Sequence, residues 1–331
     1  MRPTFALAAV VLVLAACGGS SSNRLVSIGA GLSGRSGLHA TVVVRGLKHV
    51  SALAYDGQGR LWATASGATT HTGDGVYLIA DGKARKVVGD VTAPLGLAWI
   101  GKSLYVSSLG LVTRYSGFDG TRFATSTVIV RGPVAGGENN NLVVAPNGRL
   151  VMGVSASCDH CVPASKWSGA IVSFKPDGSD LRVYASRIRA AYGLVYVPGT
   201  ETLLASMNQR DDLGSKTPGD WVAYVKHGQD WGFPACYGQT SGRCATEPKP
   251  LGILEAHAAA GGVAVAGTTA LVAEWQVGDV RAVSLDASAA QASVYLTGLS
   301  NPLPLLETRS GTLLVGDWGT GRIYEISGSA R

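Results

Sequence analysis

Leu95-Gly96-Leu97-Ala98-Trp99 and Leu104-Tyr105-Val106 are two short apolar runs either side of a turn containing Gly101. Runs rich in β-branched and aromatic residues around a Gly, Asp or Asn turn read as a tight hairpin. The same phrase is written five more times. It reads Ala52-Leu53-Ala54-Tyr55 to Leu61-Trp62-Ala63, Asn141-Leu142-Val143-Val144 to Leu150-Val151-Met152, and Tyr192-Gly193-Leu194-Val195-Tyr196 to Leu203-Leu204-Ala205. It returns as Gly262-Val263-Ala264-Val265 to Leu271-Val272-Ala273 and as Leu303-Pro304-Leu305-Leu306 to Leu313-Leu314-Val315. A third apolar run follows most copies, as in Gly75-Val76-Tyr77-Leu78-Ile79 and Gly321-Arg322-Ile323-Tyr324-Glu325-Ile326. Starts lie roughly 40 to 50 residues apart, with one longer gap before the fifth, which is the period of a β-propeller blade. The fold expected is all-β, a six-bladed β-propeller.

The ends of the chain suggest how the ring closes. The sixth repeat stops near Ile326, one strand short, while a free strand, Leu38 to Val44, precedes the first repeat. Completing the last blade with that strand would remove an exposed sheet edge. One domain over residues 38–328 follows, long enough to bury a substantial core.

Residues 1–17 read as an export leader. Arg2 supplies its positive end, Phe5 to Leu14 its apolar stretch, and Leu14-Ala15-Ala16-Cys17 a lipobox with Cys17 lipidated. The apolar run is too short for a membrane-spanning helix. Residues 18–37 are expected to be a flexible tether, and the protein to sit outside the cytoplasm, touching a bacterial membrane only through its lipid. Within residues 18–37, Gly29-Ala30-Gly31-Leu32-Ser33-Gly34 matches GxGxxG, but a β-branched strand follows it where dinucleotide binding needs a helix. Four cysteines remain after Cys17, an even number that reads most simply as the disulfides Cys158–Cys161 and Cys236–Cys244. A zinc site made from the same four is the alternative. The net charge of +6 is spread without a basic run, a solvated surface and not a nucleic-acid footprint.

Residues 169–238 carry the most specific motifs. They include Phe174-Lys175-Pro176-Asp177-Gly178, Tyr192-Gly193-Leu194, Asn208-Gln209-Arg210-Asp211-Asp212-Leu213-Gly214, Pro218-Gly219-Asp220 and Asp230-Trp231-Gly232-Phe233-Pro234-Ala235-Cys236-Tyr237-Gly238. In these the chain resembles the glucose/sorbosone dehydrogenase family, six-bladed propellers that oxidise sugars with pyrroloquinoline quinone (PQQ) and calcium. The sorbosone-type branch is the nearer match. The resemblance implies a small sugar or aldehyde as substrate, hydride transfer to PQQ, and an envelope electron acceptor. It places Arg189 at the cofactor and in the chemistry, Asn139 and His257 among the cofactor-binding residues, and Asp211, Asp212 and Asp220 at calcium.

The chain also departs from the family pattern. Where the family carries Arg-Asn-Pro, this sequence has Arg189-Ala190-Ala191. The histidine that serves as base before the third blade is missing from Gly136-Gly137-Glu138-Asn139-Asn140-Asn141. The fifth-blade segment has become Glu274-Trp275-Gln276-Val277-Gly278-Asp279, and Asn301 stands where an Arg is expected. Glu138 is the replacement base to consider, since burial raises a carboxyl pKa into a useful range; His71 is a second. Two functions stay open: a PQQ-dependent sugar dehydrogenase, or a propeller that has lost catalysis and binds carbohydrate or an envelope protein.

Overall fold

The computed structural model describes residues 24–67, 70–132, 138–163, 165–238 and 241–329. The leader, Cys17 and the tether up to residue 23 lie outside the described residues. Among the described residues strands dominate, and the helical segments are two 3-10 turns, Gly214–Lys216 and Gly242–Cys244. Six sheets, antiparallel except where Gly252–Ala256 pairs in parallel with Ala290–Gln291, form the six blades of a β-propeller.

Blade one runs Val50–Tyr55, Leu61–Ala65, Gly75–Ala80 and Lys83–Val88; blade two runs Gly96–Ile100, Ser103–Ser108, Leu111–Phe118 and Phe123–Arg131. Blade three holds Asn139–Val144, Leu150–Val154, Ala170–Phe174 and Arg182–Ala185, and blade four Ala190–Tyr196, Leu203–Asn208, Gly219–Val225 and Gly252–Ala256. The longer gap before the fifth repeat holds the loop that carries Trp231 and Cys236–Cys244. Blade five is Ala260–Ala266, Thr269–Glu274, Asp279–Ser284 and Ser293–Thr297. Blade six is Pro302–Glu307, Leu313–Asp317 and Arg322–Gly328, with Leu38–Val44 paired to the last of these in the register Tyr324↔Val42 and Ile326↔Ala40.

The first strand of each blade packs against the first strand of the next, and blade six returns to blade one. Alternating apolar side chains on the two sheet faces then fill six cores, one per blade junction. Close approach at the axis explains a recurring glycine: a Cβ on Gly193 would stand 2.6 Å from the Gly261 carbonyl oxygen and 2.6 Å from the Val263 nitrogen of the next blade.

Part of the expected tether is ordered structure. Val26–Gly29 and Leu32–Gly34 form a hairpin that pairs with the outer strand of blade five, Ser33 opposite Thr297 and Gly34 opposite Leu296. Ile28 and Leu32 are buried there. The Arg35 guanidinium fastens the hairpin by donating to Ser293 Oγ (2.6 Å) and the Val294 carbonyl (3.2 Å). The glycines that mimic a nucleotide motif are turn residues: Gly29 and Gly31 have φ of 98° and 84°, which glycine adopts without strain. The physical reason for the correction is the open edge of blade five, which an apolar hairpin covers.

Candidate functional site

A cavity of two lobes opens where the first strands of blades three, four and five begin. One lobe, about 340 Å³, is lined by Arg189, Asn208, Gln209, Asp211, Asp220, His257, Ala259 and Gln276. The other, about 300 Å³, includes Glu138, Asn140, Ser155, Asp159 and Tyr192, and shares Arg189 and Asn208 with the first. Deeper in the channel the Tyr192 hydroxyl donates across the ring to the Ser51 carbonyl of blade one (3.3 Å).

Three loops bring the charged groups together. Arg189 sits just before the first strand of blade four, Asp211 follows its second strand, and His257 follows its fourth with φ of 58°. His257 Nδ1 lies 2.9 Å from Asp211 Oδ1. Arg189 Nη2 lies 2.8 Å from Asp159 Oδ1 and 3.7 Å from Asp211 Oδ2. The Asp211 backbone N–H donates to both oxygens of Asp159, at 3.0 and 3.1 Å. A chain Asp159–Arg189–Asp211–His257 therefore crosses the mouth. Buried polar groups are nearly always hydrogen-bonded, yet Arg189 Nε, Asn208 Oδ1 and Asn140 Oδ1 have no partner.

Arg189, Asp211 and His257 are thus together in one lobe. Several other expected residues are not where they were placed. Asp212 turns to Arg210 in a two-point pair (2.6 and 2.5 Å), which pulls its carboxyl pKa down to about 2. His160 is its other neighbour, at 3.5 Å. Asp159, His160 and Asp212 form a group whose ligand atoms lie within 4.8 Å of one another, but these carboxylates already serve Arg189 and Arg210.

Asp220 lines the cavity but works as a clasp. Its carboxylate accepts the N–H of Gln209 (2.8 Å) and of Ala260 in blade five (2.9 Å). Burial pushes its pKa up to about 6 despite those two hydrogen bonds, with the charge of Asp211 adding to the rise. The expected calcium set of Asp211, Asp212 and Asp220 therefore does not converge.

Asn139 is buried and donates to the carbonyls of Ser108 (3.0 Å) and Leu111 (3.2 Å), tying blade three to blade two. Its neighbour Asn140 is the one in the cavity, with Nδ2 donating to Ser155 Oγ (2.9 Å) and the Ala191 carbonyl (3.0 Å). Glu138 is an exposed rim residue, so the burial on which a base role rested is missing. His71 pairs with Asp74 in blade one (3.1 Å), outside this cavity. Both expected disulfides are formed, Cys158–Cys161 and Cys236–Cys244. Sequence reasoning missed Asp159, whose signal was its place inside the Cys158–Cys161 loop, and Asn208, whose signal was its place at the head of the Arg-Asp-Asp loop.

Blade five carries a second buried ionic group. Arg281 lies 3.0 Å from Glu274 Oε2, 3.0 Å from Asp279 Oδ2 and 2.9 Å from Glu255 Oε1. Burial pushes the Glu274 pKa well above the ordinary carboxyl range, with the charge of Asp279 contributing. Glu274 and Asp279 stand in the segment that departs most from the family pattern, and through Arg281 and Glu255 the group ties blade five to the outer strand of blade four.

No known family model matches the chain, and no curated protein does. Solved structures match its fold. The Carbohydrate-Active Enzymes Family AA12 protein of Trichoderma reesei superposes with a TM-score of 0.76 at 16% identity, covering 90% of this chain and 98% of that one. The PQQ-bound aldose sugar dehydrogenase of Streptomyces coelicolor gives 0.72 at 19%, covering 89% and 100%. The PQQ domain of pyranose dehydrogenase from Coprinopsis cinerea, in its holo form, gives 0.75 at 16%, covering 89% and 97%. The shared property is the six-bladed propeller.

The donor set of the cavity does not fit PQQ. That cofactor is a planar tricarboxylate and calls for cationic donors. Among the described residues, the lining offers one guanidinium, Arg189, already bound to Asp159 and Asp211, one imidazole, His257, already paired with Asp211, and four carboxylates: Glu138, Asp159, Asp211 and Asp220. Calcium takes six to eight oxygen ligands. Asp220 is committed to backbone N–H groups and Asp212 to Arg210, which leaves Asp211 and Asn208 Oδ1 from the expected loop.

Proposed function

We propose that this protein binds carbohydrate at the mouth between blades three, four and five, on a sugar-dehydrogenase type of propeller that no longer performs the quinone reaction. The observation that carries this reading is the lining itself: acidic and amide oxygens around a single, already paired arginine. Planar polar groups of this kind match sugar hydroxyls, which donate and accept at once. In the bound state the polar hydrogens of the sugar's substituents donate to Asn208 Oδ1, Asn140 Oδ1 and Asp211, and Arg189 Nε donates to a sugar oxygen. Large aromatics do not block the entrance: Trp221 is buried against Trp231 with ring centroids 4.6 Å apart, and Trp275 packs edge-on against Trp318 at 5.5 Å. The lipobox at Cys17 belongs to the same proposal, holding the binding module outside the cytoplasm.

The competing reading is PQQ- and calcium-dependent oxidation of a sugar or aldehyde, of the sorbosone type, with electrons passed to an envelope acceptor. What favours it is the meeting of Arg189, Asp211 and His257 in one lobe. Titration separates the two. The purified full-length chain, followed by absorbance and thermal shift, is expected to bind no PQQ at any calcium concentration and to bind sugars saturably in calorimetry. Tight, calcium-dependent PQQ binding would overturn the proposal and call for dye-linked assays on aldoses.

A further inference from the structure

We infer that the ligand of this mouth is an amino sugar, bound through its protonated amine. The inference rests on the carbohydrate-binding reading above and narrows it to a chemical class.

The first argument is charge. Glu138, Asp159, Asp211 and Asp220 face the two lobes against Arg189 and His257. The sum stays negative even with Asp220 neutral and His257 protonated. A neutral sugar leaves that excess uncompensated, whereas an ammonium group cancels part of it in a partly dehydrated site, where charge pairs are stronger than in water. An acidic or phosphorylated sugar meets repulsion.

The second argument is independent of charge. Asn140 is 1% exposed, it lines the lobe shared by Glu138 and Asp159, and its Oδ1 has no partner while its Nδ2 is fully used. Both donors of Nδ2 are engaged by acceptors, Ser155 Oγ and the Ala191 carbonyl, so the amide oxygen is the half left unpaired. Asn208 Oδ1 is likewise unpaired, in a residue common to both lobes. Two unpaired, buried acceptors beside two carboxylates call for a group with several donors and no acceptor. An ammonium has three N–H donors and no lone pair, and its hydrogen bonds to carboxylates are short and strong. The lobe with Asn140, Glu138 and Asp159 takes the amine, and the lobe with Asp211, His257 and Gln276 takes the ring hydroxyls.

Four sugars of similar size test this by calorimetry on the full-length chain at slightly acidic pH: D-glucosamine, D-glucose, N-acetyl-D-glucosamine and D-glucuronate. Glucosamine is expected to bind about tenfold more tightly than glucose or the N-acetyl sugar, a ratio worth about 1.4 kcal/mol, and glucuronate not to bind. Added salt should weaken glucosamine selectively. Asp159→Asn should lower glucosamine affinity about tenfold more than it lowers glucose affinity, since Asp159 also holds Arg189 and Asp211, which meet either sugar. Equal affinity for glucosamine and glucose, or a preference for glucuronate, overturns the amino-sugar inference and leaves the carbohydrate site standing. Absence of binding by all four overturns the carbohydrate reading as well.

Discussion

In blade one, Asp74 accepts the N–H of Gly67 (2.6 Å) and of Ala93 (2.6 Å), joining the end of the second strand to the approach to blade two. In blade four, Asp220 accepts the N–H of Gln209 (2.8 Å) and of Ala260 (2.9 Å), the equivalent points of blades four and five. Both acids stand just ahead of a third strand's apolar run, Asp74 before Gly75-Val76 and Asp220 before Trp221-Val222. The two clasps do one mechanical job. Their surroundings differ: beside Asp74 lies His71, at 3.1 Å, while Asp220 faces a cavity that also holds Asp211 and Arg189. An acid in a loop that resembles a metal-binding one is thus a repeated element of the scaffold, and the site's own chemistry comes from what surrounds it.

The largest effect expected from breaking this comparison is on stability. Asp74→Ala and Asp220→Ala each strand two buried N–H groups and should each cost about 4 kcal/mol, read from urea unfolding. A cost near zero at Asp220 would return it to the list of free ligands.

A pH series sharpens the comparison next. The folded pKa of Asp220, about 6, lies above its ordinary 3.8. The folded state therefore binds the extra proton, and the resulting stabilisation is present at low pH and lost as pH rises through 6. Relative to Asp220→Asn, the wild-type chain should lose up to about 3 kcal/mol between about pH 4 and pH 7. A flat difference would mean that the carboxyl is not desolvated.

The two histidines supply the smallest effect. His71 and His257 are both partly exposed and paired with an aspartate, so either alanine substitution should cost under about 1 kcal/mol in stability. His257→Ala should weaken sugar binding about tenfold, whereas His71→Ala should leave it unchanged. Equal losses of binding would move the site towards the whole mouth of the propeller.

Much of this molecule was legible in the chain. Hairpins are local, so six copies of one phrase announce six blades, and the cysteines of each disulfide are only three and eight residues apart. The tether shows where locality ends: Leu32–Gly34 is ordered by a strand more than 250 residues away. Asn139 shows another boundary. The pairing of its strand slips between Asn139 and Leu142, and such an irregularity breaks the alternation that tells inward from outward residues. The asparagine carried over from the resemblance is therefore one place away from the one that lines the cavity.

Length, repetition and apolar patterning alone determined the all-β propeller and its six blades, and the even count and close spacing of the cysteines favoured their two pairs, because each depends on contacts between near neighbours in the chain. Only the tertiary structure decided which polar residues share the mouth. Asp159, Arg189, Asp211 and His257 come from separate loops, and whether an acid faces the cavity, an arginine or a backbone N–H depends on packing between blades, which no local pattern records.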